Sequence, residues 1–465
     1  MAVIEQSARP GLRMGQAARP GKTRLALPIV LYMFAVILPI GFYIGPLYLN
    51  LIRLILLIAI VPLTLKLLSG KFGGLLLPDV FLFLHSIWII IAISVIEPDR
   101  AVQYVGSTLI EFIGSYVLAR AYIRTVDDFI AMTRLLILTI LLTLPLGPPE
   151  MLTNSPPVLA FLQKIPGLRT FEIVDSPDEY RMGLYRVQAV FPHPIHYGIF
   201  CSFGVALCFV GLKGVYGTVK RYLTTAVVSF CVFMSLSSGA LLPIFLQIFM
   251  VGWAWAFRWT RLRWLLLALL VLAGYIAVDL ISNRPPMIAI LSYITFSSWN
   301  AYWRAFIFEY GMQNVWDNPW FGIGLSADWK RPYWMYSPSV DNFWLVIAMR
   351  YGFPGFFTLA LGYFPTLWRV GRRKFREEGT VWRLRRGWMI VMVCLSLALA
   401  TVDVWSTMFS FVFFMFGAGM WFLTTPPETD EMAPATAPAA EAEAEPVRPG
   451  SRYSRFAPRS RDPVS

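Results

Sequence analysis

The sequence predicts an all-α polytopic membrane protein with about twelve transmembrane helices and a large external loop. Two observations support this fold class. Of the 465 residues, 57% are hydrophobic and only 14% are charged, with a mean hydropathy of +0.60. Soluble domains carry about 25% charged residues. In addition, apolar runs close to the roughly 20 residues that a membrane crossing requires recur along the chain.

The apolar runs define the predicted spans in chain order. The tenth is long and contains Gly352-Phe353-Pro354-Gly355, where we expect the helix to break. No strand pattern and no internal repeat is evident. The predicted spans are 26–45, 47–67, 76–96, 101–123, 128–147, 189–211, 222–237, 239–257, 262–281, 341–367, 387–404 and 405–424.

Positive charges predict the orientation of the spans. When both termini are placed in the cytoplasm, most of the 40 lysines and arginines fall in cytoplasmic segments. The basic tail 1–25 precedes a full-length span with no cleavage signal and is therefore predicted to stay attached. Residues 426–465, rich in Pro, Ala and Glu and then in Arg and Ser, predict a disordered cytoplasmic tail. The transmembrane domain then covers 26–425, with external loops 148–188 and 282–340.

Several site classes find no support in the sequence. No Gly-rich phosphate loop is present, and the +13 net charge follows membrane topology, which argues against nucleic acid. The three histidines are too few and too scattered for a metal site, and His85, alone in a span, is interpreted as a core residue. We therefore expect no metal and no cofactor. The cysteines lie in apolar spans and are interpreted as small buried hydrophobes: Cys201, Cys208, Cys231 and Cys394.

The loop 282–340 is long and aromatic, which favours a folded functional segment over a disordered one. Around Arg304, aromatic residues recur at helical intervals from Trp299 to Tyr310, which predicts an amphipathic helix at the membrane surface. Arg304 is either an interfacial anchor or one arm of a diphosphate clamp. Arg186, just before the sixth span, could be the other arm, since arginine binds phosphate through a planar, permanently charged fork.

Other candidate residues flank these arginines. His193 and His196 share one helix face at the start of the sixth span, as ligand contacts or as helix-entry polarity. Trp320 belongs to an aromatic stretch that could stack on sugars or form a membrane belt. Charges inside spans are costly and face the bundle interior. For Arg53 and Glu111 a structural pair is the default interpretation, whereas Arg350 could face the same cavity as the loop. The remaining charges within predicted spans are Asp279 and Asp403.

At residues 183–360 the chain resembles the O-antigen ligase and Wzy-type polysaccharide polymerase family. Arg304 followed by the turn 318–324, Asn-Pro-Trp-Phe-Gly-Ile-Gly, is similar to the family's arginine and Asn/His-Pro-x-x-Gly-x-Gly motif. Arg186 with Phe191 and Pro194 is similar to an arginine-led motif. Residues 235–239, Ser-Leu-Ser-Ser-Gly, resemble Ser-x-Ser-Arg-Gly, with Ser238 in place of arginine. Asp341-Asn342, ahead of the Gly352 break, resembles a His-Asn pair.

The resemblance implies a GT-C-like glycosyltransferase that polymerises repeat units at the outer face of a bacterial inner membrane. Its partners would be an undecaprenyl-diphosphate-linked oligosaccharide, membrane lipids and a chain-length regulator. Arg186 and Arg304 would hold the diphosphate, and Asp341 would orient or deprotonate the acceptor hydroxyl. We expect the catalytic residues to be Asp341 and Arg304. The expected substrate-binding residues are Arg186, His193, Arg304, Arg350, Trp320 and Asn342.

Three alternatives remain open. A ligase would move finished glycan onto lipid A or protein, but Asp341 stands where ligases carry a histidine. A flippase for the same lipid should show inverted repeats and matching broken spans, whereas this chain has one broken span and one asymmetric loop. A structural scaffold would need neither the Gly-Ile-Gly turn nor the external arginines.

Overall fold

A computed structural model describes residues 25–45, 47–174, 180–282, 298–326 and 328–426, with side chains omitted for 298–301. The described chain is a helical bundle with one large apolar core. The predictions for the basic N-terminal tail and for the tail beyond residue 426 lie outside these residues, apart from Leu25. So does the part of the loop at 283–297.

The predicted all-helical, multi-pass fold is confirmed. Among the described residues, eight helices are long and apolar enough to cross a membrane. They are Leu51–Leu68, Leu77–Ile96, Val126–Thr153, Pro194–Gly211, Ser238–Ala256, Arg263–Ile281, Phe343–Arg372 and Ser406–Thr424.

The other four predicted spans coincide with helices that are shorter or less apolar. Leu27–Ile37 has only 11 residues, about half of what a straight crossing requires. Thr218–Met234 has 17 residues, and Thr380–Ala398 carries three arginines. The fourth is a composite of Pro98–Leu109, a π-helical turn at Ile110–Gly114, and Ser115–Tyr122.

The expectation of no strands is wrong. Gly41–Ile44 pairs antiparallel with Leu47–Asn50, and Tyr180–Arg181 pairs with Leu184–Tyr185. The first hairpin escapes detection because its strands are as apolar as the predicted membrane span in which they lie. In sequence, the two strands are joined by Gly45-Pro46, and Gly45 adopts a left-handed φ of 59°. Backbone bonds between Gly41 and Arg169 tie this hairpin to the segment 148–188.

The predicted break in the long helix Phe343–Arg372 is confirmed. Gly352 lies at φ 68° and ψ −175°, outside the helical region. A break leaves backbone carbonyls without their intrahelical donors, and buried carbonyls need replacements. We call Phe343–Arg372 the broken helix.

Residues 318–324, here called the glycine turn, supply most of the replacement bonds. The amides of Ile323 and Gly324 donate to the carbonyls of Met349 and Arg350, at 2.7 and 3.3 Å. In return, the amide of Phe353 donates to Pro319 at 2.8 Å. The carbonyl of Tyr351 accepts from the Trp88 indole at 2.8 Å. The glycine turn is thus locked into the break.

The helix Ser298–Asp317, here called the loop helix, covers the first half of the broken helix. Its Ile307 and Val315 share a small apolar cluster with Leu345 and Met349. A helix around Arg304 was predicted, and its existence is confirmed. The interior positions of two other predicted residues are also as expected. His85 is buried beside Thr358, and Arg53 forms an ion pair with Glu111 at 2.8 Å.

Candidate functional site

The loop helix presents Arg304 towards Asp341, the residue just before the broken helix. Burial lowers the pKa of the Arg304 guanidinium, Asp341 raises it, and Arg181 lowers it again. These effects mean that one carboxylate and two guanidinium groups lie within electrostatic reach of each other. A half-buried guanidinium beside another cation favours a bound anion.

The segment 181–193 contributes two further arginines, of which Arg181 lies within electrostatic reach of Arg304. The Arg181 guanidinium donates to the carbonyl of Leu236 at 3.2 Å, and Arg186 Nε donates to the carbonyl of Ser235 at 3.3 Å. Arg186 is 5% exposed. The corner 235–236 therefore holds both arginines in place. Leu236 itself adopts a left-handed φ of 43° there.

His193 lies beside these arginines and caps a helix. Its Nδ1 accepts the amide of Ile195 at 3.2 Å, at the N-terminus of Pro194–Ala206. Burial lowers the pKa of His193 to about 4, and Arg186 and Arg181 act in the same direction. The ring is therefore neutral near pH 7. With Nδ1 accepting, its proton is on Nε2, which can donate to a ligand.

Arg350 lines two adjoining cavities of about 390 and 190 Å³. One guanidinium nitrogen lies 3.4 Å from the Tyr104 hydroxyl, which in turn lies 2.8 Å from that of Tyr351. The smaller cavity also exposes Asp403, from the loop that precedes Ser406. Burial raises the pKa of Asp403 to about 6, Arg350 lowers it, and Asp341 raises it. Asp403 therefore lines the Arg350 cavity and also lies within electrostatic reach of Asp341.

Asp341 and Asn342 have different local roles. Asn342 is the N-cap of the broken helix, and its Oδ1 accepts the amide of Leu345 at 3.1 Å. Asp341 is half-buried and accepts a hydrogen bond from the Ser339 hydroxyl at 2.9 Å. The carboxylate is therefore not needed as the helix cap. Trp320, in the glycine turn, is 68% exposed and can meet a ligand from solution.

Comparison with known families identifies the region that contains most of these side chains. Residues 223–360 match a family model described as O-antigen ligase. This part of the chain is therefore similar to the O-antigen ligase family. The match covers less than a third of the 465 residues and indicates, in general terms, a glycan-transferring enzyme. A comparison with curated proteins finds no significant match.

The matched region includes Arg304, Trp320, Asp341, Asn342 and Arg350. The two remaining predicted binding residues, Arg186 and His193, precede it. The fold brings them to the same region through the corner 235–236, which lies within the matched range.

Sequence analysis missed three residues of this region as site candidates. The sequence does not distinguish Arg181 from the other basic residues of the external loops, and it identifies Asp403 only as a charge within a predicted span. Tyr104 was not predicted as a site residue, because a tyrosine in an apolar run is usually a packing residue. Only tertiary contacts reveal that Arg181 lies near Arg304 and His193, or that Tyr104 contacts Arg350.

Proposed function

We propose that this protein polymerises oligosaccharide repeat units carried on undecaprenyl diphosphate, at the outer face of a bacterial inner membrane. The single observation that carries the proposal is the grouping of Arg304 with Asp341 and Arg181. Such a site offers cations for a diphosphate next to a carboxylate for a hydroxyl. The family match supports glycan transfer in general.

In the proposed reaction, the bond between the donor's anomeric carbon and the diphosphate oxygen breaks. An acceptor sugar oxygen forms the new bond to that carbon, and its proton passes to Asp341 or to water. Arg304 and Arg186 bind the departing diphosphate and stabilise its increasing charge, an electrostatic contribution. Asp341 orients the acceptor hydroxyl, which requires hydrogen-bond contact.

The other predicted residues bind the substrate around this centre. His193 donates from Nε2, since its Nδ1 is occupied by the helix amide. Arg350 contributes positive charge to the adjoining cavities. Trp320 stacks on a sugar ring. Asn342 holds the start of the broken helix through its Oδ1 and can contact the acceptor only through the rest of its amide.

A ligase that transfers finished glycan to lipid A or protein is the second candidate. The description of the matching family favours it. Asp341 favours the polymerase, because in the resemblance described above ligases carry a histidine at this position.

Deletion of the gene separates the candidate functions. We expect the deletion strain to lose long polymer and to accumulate single repeats on undecaprenyl diphosphate, seen by mass spectrometry of extracted lipids. Accumulation of long lipid-linked glycan would instead identify a ligase. Single repeats that an impermeant glycosidase cannot reach in spheroplasts would identify a flippase. Unchanged glycan would contradict all three functions.

A further inference from the structure

A second charged cavity lies at the far end of the broken helix. Asp341 precedes this helix and Arg372 ends it, and the 30 residues of the helix correspond to about 45 Å of helix length at 1.5 Å per residue. The cavity has a volume of about 410 Å³, within the range of small-molecule sites, which is about 300–1,000 Å³. The proposed transfer site does not extend to this end.

Arginines line this cavity without matching acids. Arg263, Arg385 and Arg386 contribute to its wall, and Arg386 lies within electrostatic reach of the other two. Among the described residues, no carboxylate forms an ion pair with any of the three. The exposed Glu378 is the acid that acts on Arg386 from the neighbouring cavity. Positive charge therefore exceeds negative charge on this wall.

Part of the hydrogen-bonding capacity of these arginines is unused. The Nε atoms of Arg263, Arg385 and Arg386 are buried and have no hydrogen-bond partner within the described structure. A buried donor without a partner is destabilising, and more so when it is charged. Three such donors on one cavity indicate a missing anionic acceptor. Arg385 does bond backbone carbonyls at the end of the broken helix, including that of Gly371 at 2.9 Å, and this fixes its position.

The rest of the wall is apolar and aromatic. Trp264, Trp368 and Trp382 line the cavity together with Leu367, Ile390 and Val393. The Trp382 ring lies 5.0 Å from the Arg386 guanidinium. On one side the wall is formed by Arg263–Ile281, a helix in which none of the described residues is buried. Within the described part of the chain, most of that helix is left exposed by its neighbours, so the cavity adjoins a surface that is open to lipid.

We propose that this cavity binds the phosphate group of an anionic phospholipid, with the acyl chains along its apolar wall. A phosphodiester supplies acceptor oxygens for the arginine donors, and arginine binds phosphate in a bidentate manner. Basic pockets between transmembrane helices bind lipid head groups in this way. Free phosphate offers the same acceptor oxygens but leaves the apolar wall without a partner.

Native mass spectrometry of the delipidated full-length protein tests this proposal. We expect phosphatidylglycerol to bind at least tenfold more tightly than zwitterionic phosphatidylcholine. Arg263→Gln/Arg386→Gln should weaken phosphatidylglycerol binding at least fivefold. The matched control Arg369→Gln/Arg376→Gln removes the same charge from exposed arginines outside the cavity, and binding should stay within twofold of wild type. Equal affinity for the two lipids, or equal loss in both double variants, would overturn the proposal.

Two further measurements keep the test decisive. Inorganic phosphate in roughly thousandfold molar excess over the protein should not displace phosphatidylglycerol. Displacement would assign the cavity to a free anion instead. If the double variant fails to fold, wild-type protein is crosslinked to phosphatidylglycerol that carries a diazirine on one acyl chain. Enrichment at residues 380–393 or 263–272 supports the lipid site, and uniform labelling of all lipid-facing helices contradicts it.

Discussion

At the level of single residues, the cap of the broken helix decides how a test of Asp341 is interpreted. Asp and Asn are comparable N-caps, so a silent Asp341→Asn would be ambiguous if Asp341 were the cap. The cap is Asn342, which accepts the Leu345 amide. Asp341 instead points its carboxylate towards Ser339 and lies near Arg304.

We therefore expect Asp341→Asn to leave the melting temperature within about 2 °C of wild type and to abolish most polymerisation. The isosteric amide still accepts from Ser339 but cannot take a proton. Polymer length on gels and lipid-linked single repeats by mass spectrometry are the measurements. The control is Asp328→Asn, which makes the same change at a fully exposed carboxyl of the same loop and should keep long polymer. Long polymer in Asp341→Asn cells would refute the catalytic role.

Substitutions of Arg304 can separate the role of its planar guanidinium group from the role of its positive charge. Lysine keeps the charge and loses the bidentate contact with phosphate. We expect Arg304→Lys to reduce polymer almost as strongly as Arg304→Ala, by at least tenfold at equal expression. The control is Lys330→Ala, which removes a surface cation from the same loop and should be silent. Full-length polymer from Arg304→Ala would eliminate the diphosphate clamp.

Asp403 should make stability depend on pH. Its pKa of about 6 in the folded protein exceeds the ordinary value of about 3.9. The contribution of Asp403 to the free energy of unfolding is therefore fully present below about pH 4. It is lost as the pH rises through 6, by about 2–3 kcal/mol.

The measurement is the melting temperature in detergent at pH 5 and pH 7.5. Asp403→Asn keeps the neutral state at both values, so it should stabilise the protein relative to wild type more at pH 7.5 than at pH 5. Asp328→Asn changes a fully exposed carboxyl and serves as the control. A stability difference between Asp403→Asn and wild type that is equal at both pH values would contradict the assignment.

At the level of secondary-structure elements, the glycine turn and the helix break depend on each other. A Cβ at Gly352 would collide with the carbonyls of Trp320 and Pro319, and its φ of 68° disfavours any L side chain. The turn motif is therefore explained first by backbone packing. We expect the two glycines of the turn to affect the reaction indirectly, through the position of Arg350.

We expect Gly352→Ala to lower stability by roughly 1–3 kcal/mol and to reduce polymer length. The control is Gly371→Ala near the end of the same helix, where a Cβ would meet only the flexible Met389 side chain. Thermal melting and polymer gels provide the readout. Equal melting temperatures for the two variants would show that the break tolerates a side chain.

Some of these elements could be predicted from the sequence and others could not, for physical reasons. The break was predictable because Gly352 and Pro354 interrupt an apolar run locally. The docking of the glycine turn was not, since its hydrogen bonds join residues about 26 or more positions apart. The hairpin Gly41–Ile44 was missed because membrane helices and apolar strands have the same composition. Arg304, Arg186 and Asp341 were found through motif resemblance, whereas Arg181 and Tyr104 required the fold.

At the level of the whole molecule, orientation in the membrane is the prediction that matters most for function. The distribution of positive charge predicts that residues 282–340 lie outside the cell membrane and that both termini lie inside. The four native cysteines, Cys201, Cys208, Cys231 and Cys394, are buried, so an introduced cysteine can be labelled against a low background.

We expect an impermeant maleimide added to intact cells to label Ser326→Cys, at an exposed position, but not Ser451→Cys. Permeabilised cells, in which both positions are accessible, provide the control. Labelling of Ser451→Cys alone in intact cells would invert the topology and place the arginine-lined site in the cytoplasm.

The backbone hydrogen bonds between the glycine turn and the broken helix restrict which molecules can contact both elements at once. Trp320 belongs to the glycine turn and Arg350 to the broken helix. The backbone bonds at Met349, Arg350 and Pro319 hold these two elements together. The distance from the Trp320 backbone to the Arg350 backbone is therefore fixed by hydrogen-bond geometry. A glycolipid that engaged both residues would have to match that fixed length between its sugar and its charged group.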